Sequence, residues 1–164
     1  MRPDKLTTKF QEALAEAQTA ALGQDHAYIE PAHVLQAMLR QDDGPRALLE
    51  RAGVQINALV KAADEAVRKL PQVQGQEQVQ VGRDLVVLLQ AAEKEAIKRG
   101  DQFIASELFL LALADSKGPL GEQVRQCGLQ RKGLEAAITA VRGGQKVDSA
   151  DAEGQREALK KYTL

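Results

Sequence analysis

The sequence predicts an all-α protein: two pseudo-twofold-related four-helix repeats packed into one globular domain, with a flexible linker after them. Three observations carry that expectation. Apolar residues recur at helical spacing through most of the 164 residues. No stretch alternates with period two for long enough to argue a sheet, although Val79-Gln80-Val81 is ambiguous. The first part of the chain also recurs in the second at an offset of about seventy-five residues.

In chain order, Leu6, Phe10, Ala13, Leu14, Ala17 and Ala21 share one helical face, with Lys9, Glu12 and Glu16 opposite. Asp4 or Thr7 can cap this helix, and Gly23 stops it. Pro31 suits the first position of a second helix through His33, Val34, Leu35, Met38 and Leu39. Asp42-Asp43-Gly44-Pro45 is turn chemistry. A short helix over 47–52 ends at Gly53, and a longer one carries Ile56, Leu59, Val60, Ala63, Val67 and Leu70.

The second copy follows the same order. Phe10, Leu14, Ala21 and Leu22 correspond to Leu85, Leu89, Ala96 and Ile97, and the run 28–38 corresponds to 103–113. Gly53, Val54 and Leu59 correspond to Gly128, Leu129 and Leu134. Two copies and no more suggest a closed pair with a seam rather than an extended array. The expected organisation is a domain over 1–142, with repeat one at about 1–70, a polar connector at 71–79 and repeat two at about 80–142. Gly143-Gly144 stops the last helix, and the polar stretch from Lys146 to Gln155 reads as linker. A linker that leads to nothing predicts a piece of a longer protein.

Composition narrows the function classes. Aromatics are 3% of the chain and Trp is absent, so the core is built from Leu, Val, Ile and Ala, which suits closely packed helices. With 22 basic and 23 acidic side chains, there is no electrostatic footprint for nucleic acid. No apolar run approaches a membrane span, and Met1-Arg2-Pro3-Asp4-Lys5 lacks the apolar segment of a signal peptide. A lone Cys127 fits a reducing compartment, and the expected location is cytoplasmic.

Catalytic constellations are missing from the pattern. Gly143-Gly144-Gln145-Lys146-Val147 has neither the spacing nor the hydroxyl of a phosphate loop. His26 and His33 have no cysteine nearby to complete a metal set, and no histidine shares the repeat of Cys127. Arg99-Gly100-Asp101 matches an adhesion tripeptide by letters only. The expectation is a binding module, not an enzyme, with no cofactor and no metal in this stretch.

Several motifs in order resemble a known family. Leu6-Thr7-Thr8-Lys9-Phe10-Gln11-Glu12-Ala13-Leu14, followed by Ile29-Glu30-Pro31-Ala32-His33-Val34-Leu35, resembles the opening of the Clp N-domain. The run from Lys98 to Leu113 resembles its second-repeat signature. Leu70-Pro71-Gln72-Val73-Gln74-Gly75 is similar to the connector in members that belong to AAA+ protein disaggregases, and Ala158-Leu159-Lys160-Lys161-Tyr162-Thr163 to the lead-in to their first ATPase domain.

The resemblance implies a substrate-recruiting domain that binds exposed apolar segments of unfolded or aggregated proteins and delivers them to a hexameric ATPase pore, in cooperation with the DnaK system. ATP and Mg would belong to the ATPase domains outside this chain, and the chain alone would be a monomer. The resemblance also marks a substrate-binding surface: Thr7, Asp101 and Glu107, with Leu89 and Leu108 in a neighbouring apolar groove. Apolar and partly basic peptides would suit it. Ala91 and Glu95 depart from apolar family positions and would make that groove shallower. The alternative is an adaptor-docking N-domain of a protease-associated Clp unfoldase.

Overall fold

A computed structural model describes residues 3–154, so the expected lead-in at 158–164 lies outside the described residues. Repeat one comprises α1 (Thr8–Gly23), β1 (Tyr28–Ile29), α2 (Pro31–Arg40), α3 (Arg46–Arg51) and α4 (Ile56–Arg68). Repeat two comprises β2 (Gln80–Val81), α5 (Arg83–Arg99), α6 (Ser106–Ala114), α7 (Pro119–Gln126) and α8 (Arg131–Arg142). The helix starts Thr8, Pro31 and Ile56 map onto Arg83, Ser106 and Arg131 under one offset, so the all-helical double repeat is real. A short 3-10 turn at Pro3–Lys5 precedes α1.

Local chemistry explains the boundaries. Thr7 is the N-cap of α1, its backbone extended and its hydroxyl accepting the Phe10 N–H at 3.3 Å. Pro31 opens α2, where its missing N–H costs nothing. Gly100 and Gly143 close α5 and α8 in the left-handed conformation. The ambiguous stretch at Val79-Gln80-Val81 resolves into the two-residue strand β2, parallel to β1.

α2 and α6 are the central pair. Every residue of α6 is buried, and every residue of α2 except Arg40, as expected of helices apolar on all sides. The outer helices bury one stripe each: Phe10, Ala13, Ala17 and Ala21 on α1, and Leu85, Leu88, Ala92 and Ala96 on α5. The alanines let these helices approach the centre closely, and Phe10 meets Phe109 of the other repeat edge to face, with ring centroids 5.9 Å apart.

The repeats exchange their leading segments. Ile29 of repeat one pairs with Val81 ahead of α5, and Leu6 ahead of α1 pairs with Ile104 of repeat two. These two bridges are the same contact related by the repeat offset. In one, the Gly82 N–H donates to the Ile29 carbonyl at 3.0 Å; in the other, the Thr7 N–H donates to the Ile104 carbonyl at 3.1 Å. The exchange brings Thr7, near the start of the chain, to the mouth of α6.

The connector is exposed but tied down: Val73 N–H donates to the Asp25 carbonyl at 2.7 Å, and Gln72 bridges to His26. The second copy of that arrangement is the segment after α8. There the amides of Gln102 and Phe103 donate to the Val147 carbonyl at 2.8 and 3.2 Å. Residues 145–153 therefore begin the expected linker as a strap laid against the domain, held by the Gln102 and Phe103 amides and the Asp101 side chain where repeat one uses the Asp25 carbonyl.

Candidate functional site

The three polar residues marked by the resemblance gather at one corner, through partners distant in sequence. Asp101 follows the left-handed Gly100, and its amide closes the end of α5 on the Ala96 carbonyl at 2.9 Å. Glu107 stands in the first turn of α6, where the helix dipole favours a carboxylate. Between them lies Arg142, the last residue of α8. Its Nη1 donates to the Asp101 oxygens at 2.9 and 3.2 Å, and its Nε and Nη2 donate to Glu107 Oε2 at 3.1 and 3.0 Å. The side chains of Asp101, Glu107 and Arg142 are 0%, 2% and 8% exposed, so this is a buried ion triad. Its position alters the expected acidic rim, since both carboxylates are already matched by a guanidinium.

Thr7 and Ser106 turn instead toward Glu153, on the strap. Thr7 Oγ1 donates to the Glu153 carboxyl, and the Ser106 amide and hydroxyl each donate to it at 3.3 Å. Thr7 and Ser106 are fully buried and Glu153 nearly so. Burial, reinforced by the Glu107 carboxylate, pushes the Glu153 carboxyl up to about 7, although the Thr7 and Ser106 hydrogen bonds work in the other direction. Ser106 is the first residue of α6 rather than its cap. The cap is Ala105, because the Ser106 hydroxyl serves the strap rather than its own helix.

The apolar pair separates. Leu108 is fully buried in the common core and presents no surface. Leu89 is half-buried against that core on α5. Two turns further along the same helix stands Ile97, 73% exposed, which lines a cleft of about 520 Å³ with Asp101, Phe103, Ile104 and Glu93. Glu95 lies within an ion network with Arg131 and, at 3.5 Å, Arg99. Burial pushes its carboxyl up, but the Arg131 hydrogen bond and charge, joined by Arg99, outweigh this and hold it below the usual value. Ala91 is half-buried and packs on the core.

Arg142 and Glu153 have no signal in local spacing. Their partners lie 35 to 146 residues away. The repeat offers one clue: the counterparts of Thr7, Ser106 and Glu107 are Gly82, Pro31 and Ala32, which have neither hydroxyl nor carboxylate. The related corner is polar in a different way: beside Gly82 it holds the carboxyl of Glu30, which comes from repeat one itself, and no hydroxyl.

The histidines form a structural pair. His33 Nδ1 accepts the Glu30 amide at 2.9 Å, which leaves its Nε2–H to donate to His26 Nδ1 at 2.8 Å. Burial, then the neighbouring His26, lowers the His33 pKa to about 4. Burial also pushes the Cys127 thiol up, which makes it a poor nucleophile. Among the described residues no cluster of His, Cys, Asp or Glu is arranged to hold a metal ion, and no helix is long and apolar enough to cross a membrane.

This helical double repeat, with a polar corner beside a cleft, belongs to the family of the Clp repeat (R) N-terminal domain, whose pattern matches residues 5–127. Within that family it is similar to ClpB chaperones. It is 46% identical to chaperone protein ClpB of Dichelobacter nodosus over 162 residues, covering 98% of this chain and 19% of that protein. The chain thus spans about a fifth of the length of the curated relatives it matches. The Hsp104 N-terminal domain from Candida albicans has the same fold, with a TM-score of 0.79 at 19% identity over 91% of this chain and 99% of that one. So does the ClpV N-domain in its complex with VipB peptide, with a TM-score of 0.69 at 19% identity over 87% of this chain and 90% of the other.

Proposed function

We propose that this domain recruits unfolded or aggregated polypeptides for an ATP-dependent disaggregase, acting with the DnaK system and handing clients to the pore of a homohexameric AAA+ ring. ATP and Mg would be held by that ring, outside this chain. The observation that carries the reading is the cleft at the end of α5. A large exposed apolar side chain, Ile97, stands there beside Phe103 and next to the corner that holds Thr7, Asp101 and Glu107. Exposed apolar surface rimmed by polar groups suits extended apolar segments without demanding a sequence. The related ClpV N-domain takes a VipB peptide, which supports a peptide-binding role for the fold. Similarity to ClpB chaperones favours the disaggregase over the adaptor-docking alternative.

In this reading Leu89 and Ile97 supply apolar contact, the Thr7 hydroxyl becomes available only when Glu153 leaves it, and Asp101 and Glu107 shape the rim through Arg142. Leu108 supports the groove from beneath. A small interface retains little affinity after ordering costs, and several copies on one ring compensate through effective concentration. The test is a titration of the chain with reduced, carboxymethylated α-lactalbumin, read by residue-resolved NMR. Shifts should centre on Leu89, Ile97, Asp101 and Phe103, and Ile97→Ser should weaken binding severalfold at unchanged melting temperature. Shifts confined to another face would sink this assignment.

A further inference from the structure

We propose that the pocket between Thr7 and the start of α6 is a carboxyl-recognition site whose resident ligand is the chain's own strap, residues 147–153, so that a polypeptide presenting an acidic side chain there must displace the strap. The proposal rests on the reading of this face as polypeptide-binding and adds the ligand chemistry and the internal competitor. Its first support is the donor set. Two hydroxyls and a backbone amide, all buried and drawn from different repeats, converge on one carboxyl group that arrives from outside both helical repeats.

The second support is the comparison inside the molecule. At the pseudo-equivalent position Thr7 is replaced by Gly82, and Ser106 by Pro31, which has neither hydroxyl nor N–H. The strap's own counterpart is the connector, and Glu153 corresponds there to the exposed Gln78. The related corner holds the carboxyl of Glu30 beside Gly82 instead, so the fold does not require this donor set; only this copy has two hydroxyls closing on an acid from the strap.

The third support is that the strap is attached mainly by exchangeable polar contacts. Val147 is its one buried apolar anchor among the described residues. Otherwise, besides the three bonds to Glu153, it is held by Val147 N–H to Asp101 at 3.0 Å, the Gln102 and Phe103 amides to the Val147 carbonyl at 2.8 and 3.2 Å, Thr8 N–H to the Ala150 carbonyl at 2.8 Å, and Thr8 Oγ1 to Asp151 at 3.0 Å. Each of these can be exchanged for a bond to water or to an incoming backbone. Gly143 and Gly144, both at positive φ, precede it as a hinge. The ionisable groups at the corner add strain to the seat, because Glu153 meets Glu107, while Arg142 is already shared between Glu107 and Asp101, and Asp151 lies on the strap itself.

The test uses the full chain with Val147→Ser plus Glu153→Ala to release the strap, and Glu153→Gln to keep its shape without its charge. In the release variant, amide exchange at Thr8, Gln102, Phe103 and Ser106 should quicken at least tenfold while α2 and α6 amides stay protected. That variant should bind carboxymethylated α-lactalbumin at least fivefold more tightly, and Glu153→Gln should bind it more weakly than the parent. A synthetic peptide of residues 145–154, added at millimolar concentration to the release variant, should shift the Thr7 and Ser106 signals. Released amides with unchanged or weaker lactalbumin binding would overturn the competitor role, and a peptide that leaves Thr7 and Ser106 unmoved would overturn the carboxyl site. If the peptide binds but no variant takes lactalbumin, the carboxyl site stands and the recruiting function falls.

Discussion

Replacing Arg142 by methionine keeps the length of the side chain and removes the cation that Asp101 and Glu107 share. Four hydrogen bonds of 2.9 to 3.2 Å disappear, and both carboxylates are buried. Asp101 keeps the Val147 amide at 3.0 Å. Stripping one partner from a buried ion pair costs about 3–5 kcal/mol. A domain of this size loses roughly 2–4 °C of melting temperature per kcal/mol, so the expected drop is about 12 °C. Thermal unfolding followed by far-ultraviolet circular dichroism at pH 7.5 measures it. Adding Asp101→Asn and Glu107→Gln to Arg142→Met removes the unpaired charges and should recover at least half of the loss, the signature of coupled sites. A drop under about 3 °C, or a triple variant no better than the single one, would refute the buried-triad account. The same logic governs Asp101→Ala and Glu107→Ala. Each leaves Arg142 partly unmatched, so a binding defect in either has to exceed what its loss of stability explains.

Three further outcomes follow from the same physics. The raised Glu153 value means that strap docking favours the protonated acid: its contribution is complete below about pH 4.5 and fades as the pH climbs to about 7. Exchange protection at Thr8 and Ser106, corrected for intrinsic rates, should therefore fall across that window in the parent and stay level in Glu153→Gln. His33 has the opposite sign, because its lowered value makes the neutral ring the stable one; stability should be lost as the pH falls from about 6.5 to about 4. In the Glu153→Gln background, a melting temperature that holds steady across that interval would contradict the neutral histidine pair. Gly53 and Gly128 are repeat counterparts at φ 91° and 95°, but a Cβ on Gly128 would sit 2.9 Å from the Gly53 carbonyl, whereas one on Gly53 meets nothing within 4 Å. Alanine should cost about 1–2 kcal/mol at Gly53 from backbone strain and about 1 kcal/mol more at Gly128, by urea unfolding; equal losses would mean that the close approach of the two turns is not rigid.

Much of the architecture was legible in the residues themselves because it depends on short windows. The stripe of Phe10, Ala13, Ala17 and Ala21, the Thr7 cap, Pro31 at a helix start and the stopping glycines act over three or four residues, and each emerged where the pattern places it. The internal repeat extended that reading to the pairing of helices. A local preference yields where it meets a distant partner, as at Ser106, whose hydroxyl turns from its helix to Glu153.

The functional corner was legible only in part. Resemblance picked out Thr7, Asp101 and Glu107, yet only the packed molecule reveals that Arg142 neutralises two of them and that Glu153 fills the space beside the third. It likewise separates Leu108, sealed in the core, from Leu89 and from Ile97, the exposed neighbour. By itself the sequence determined helix content, the double repeat and the absence of a recognisable catalytic motif, because periodicity, capping and composition are properties of neighbouring residues. The tertiary structure decided which charges are paired, which apolar groups face water and where the strap lies, because those outcomes depend on contacts between residues dozens to more than a hundred positions apart, which no local pattern encodes.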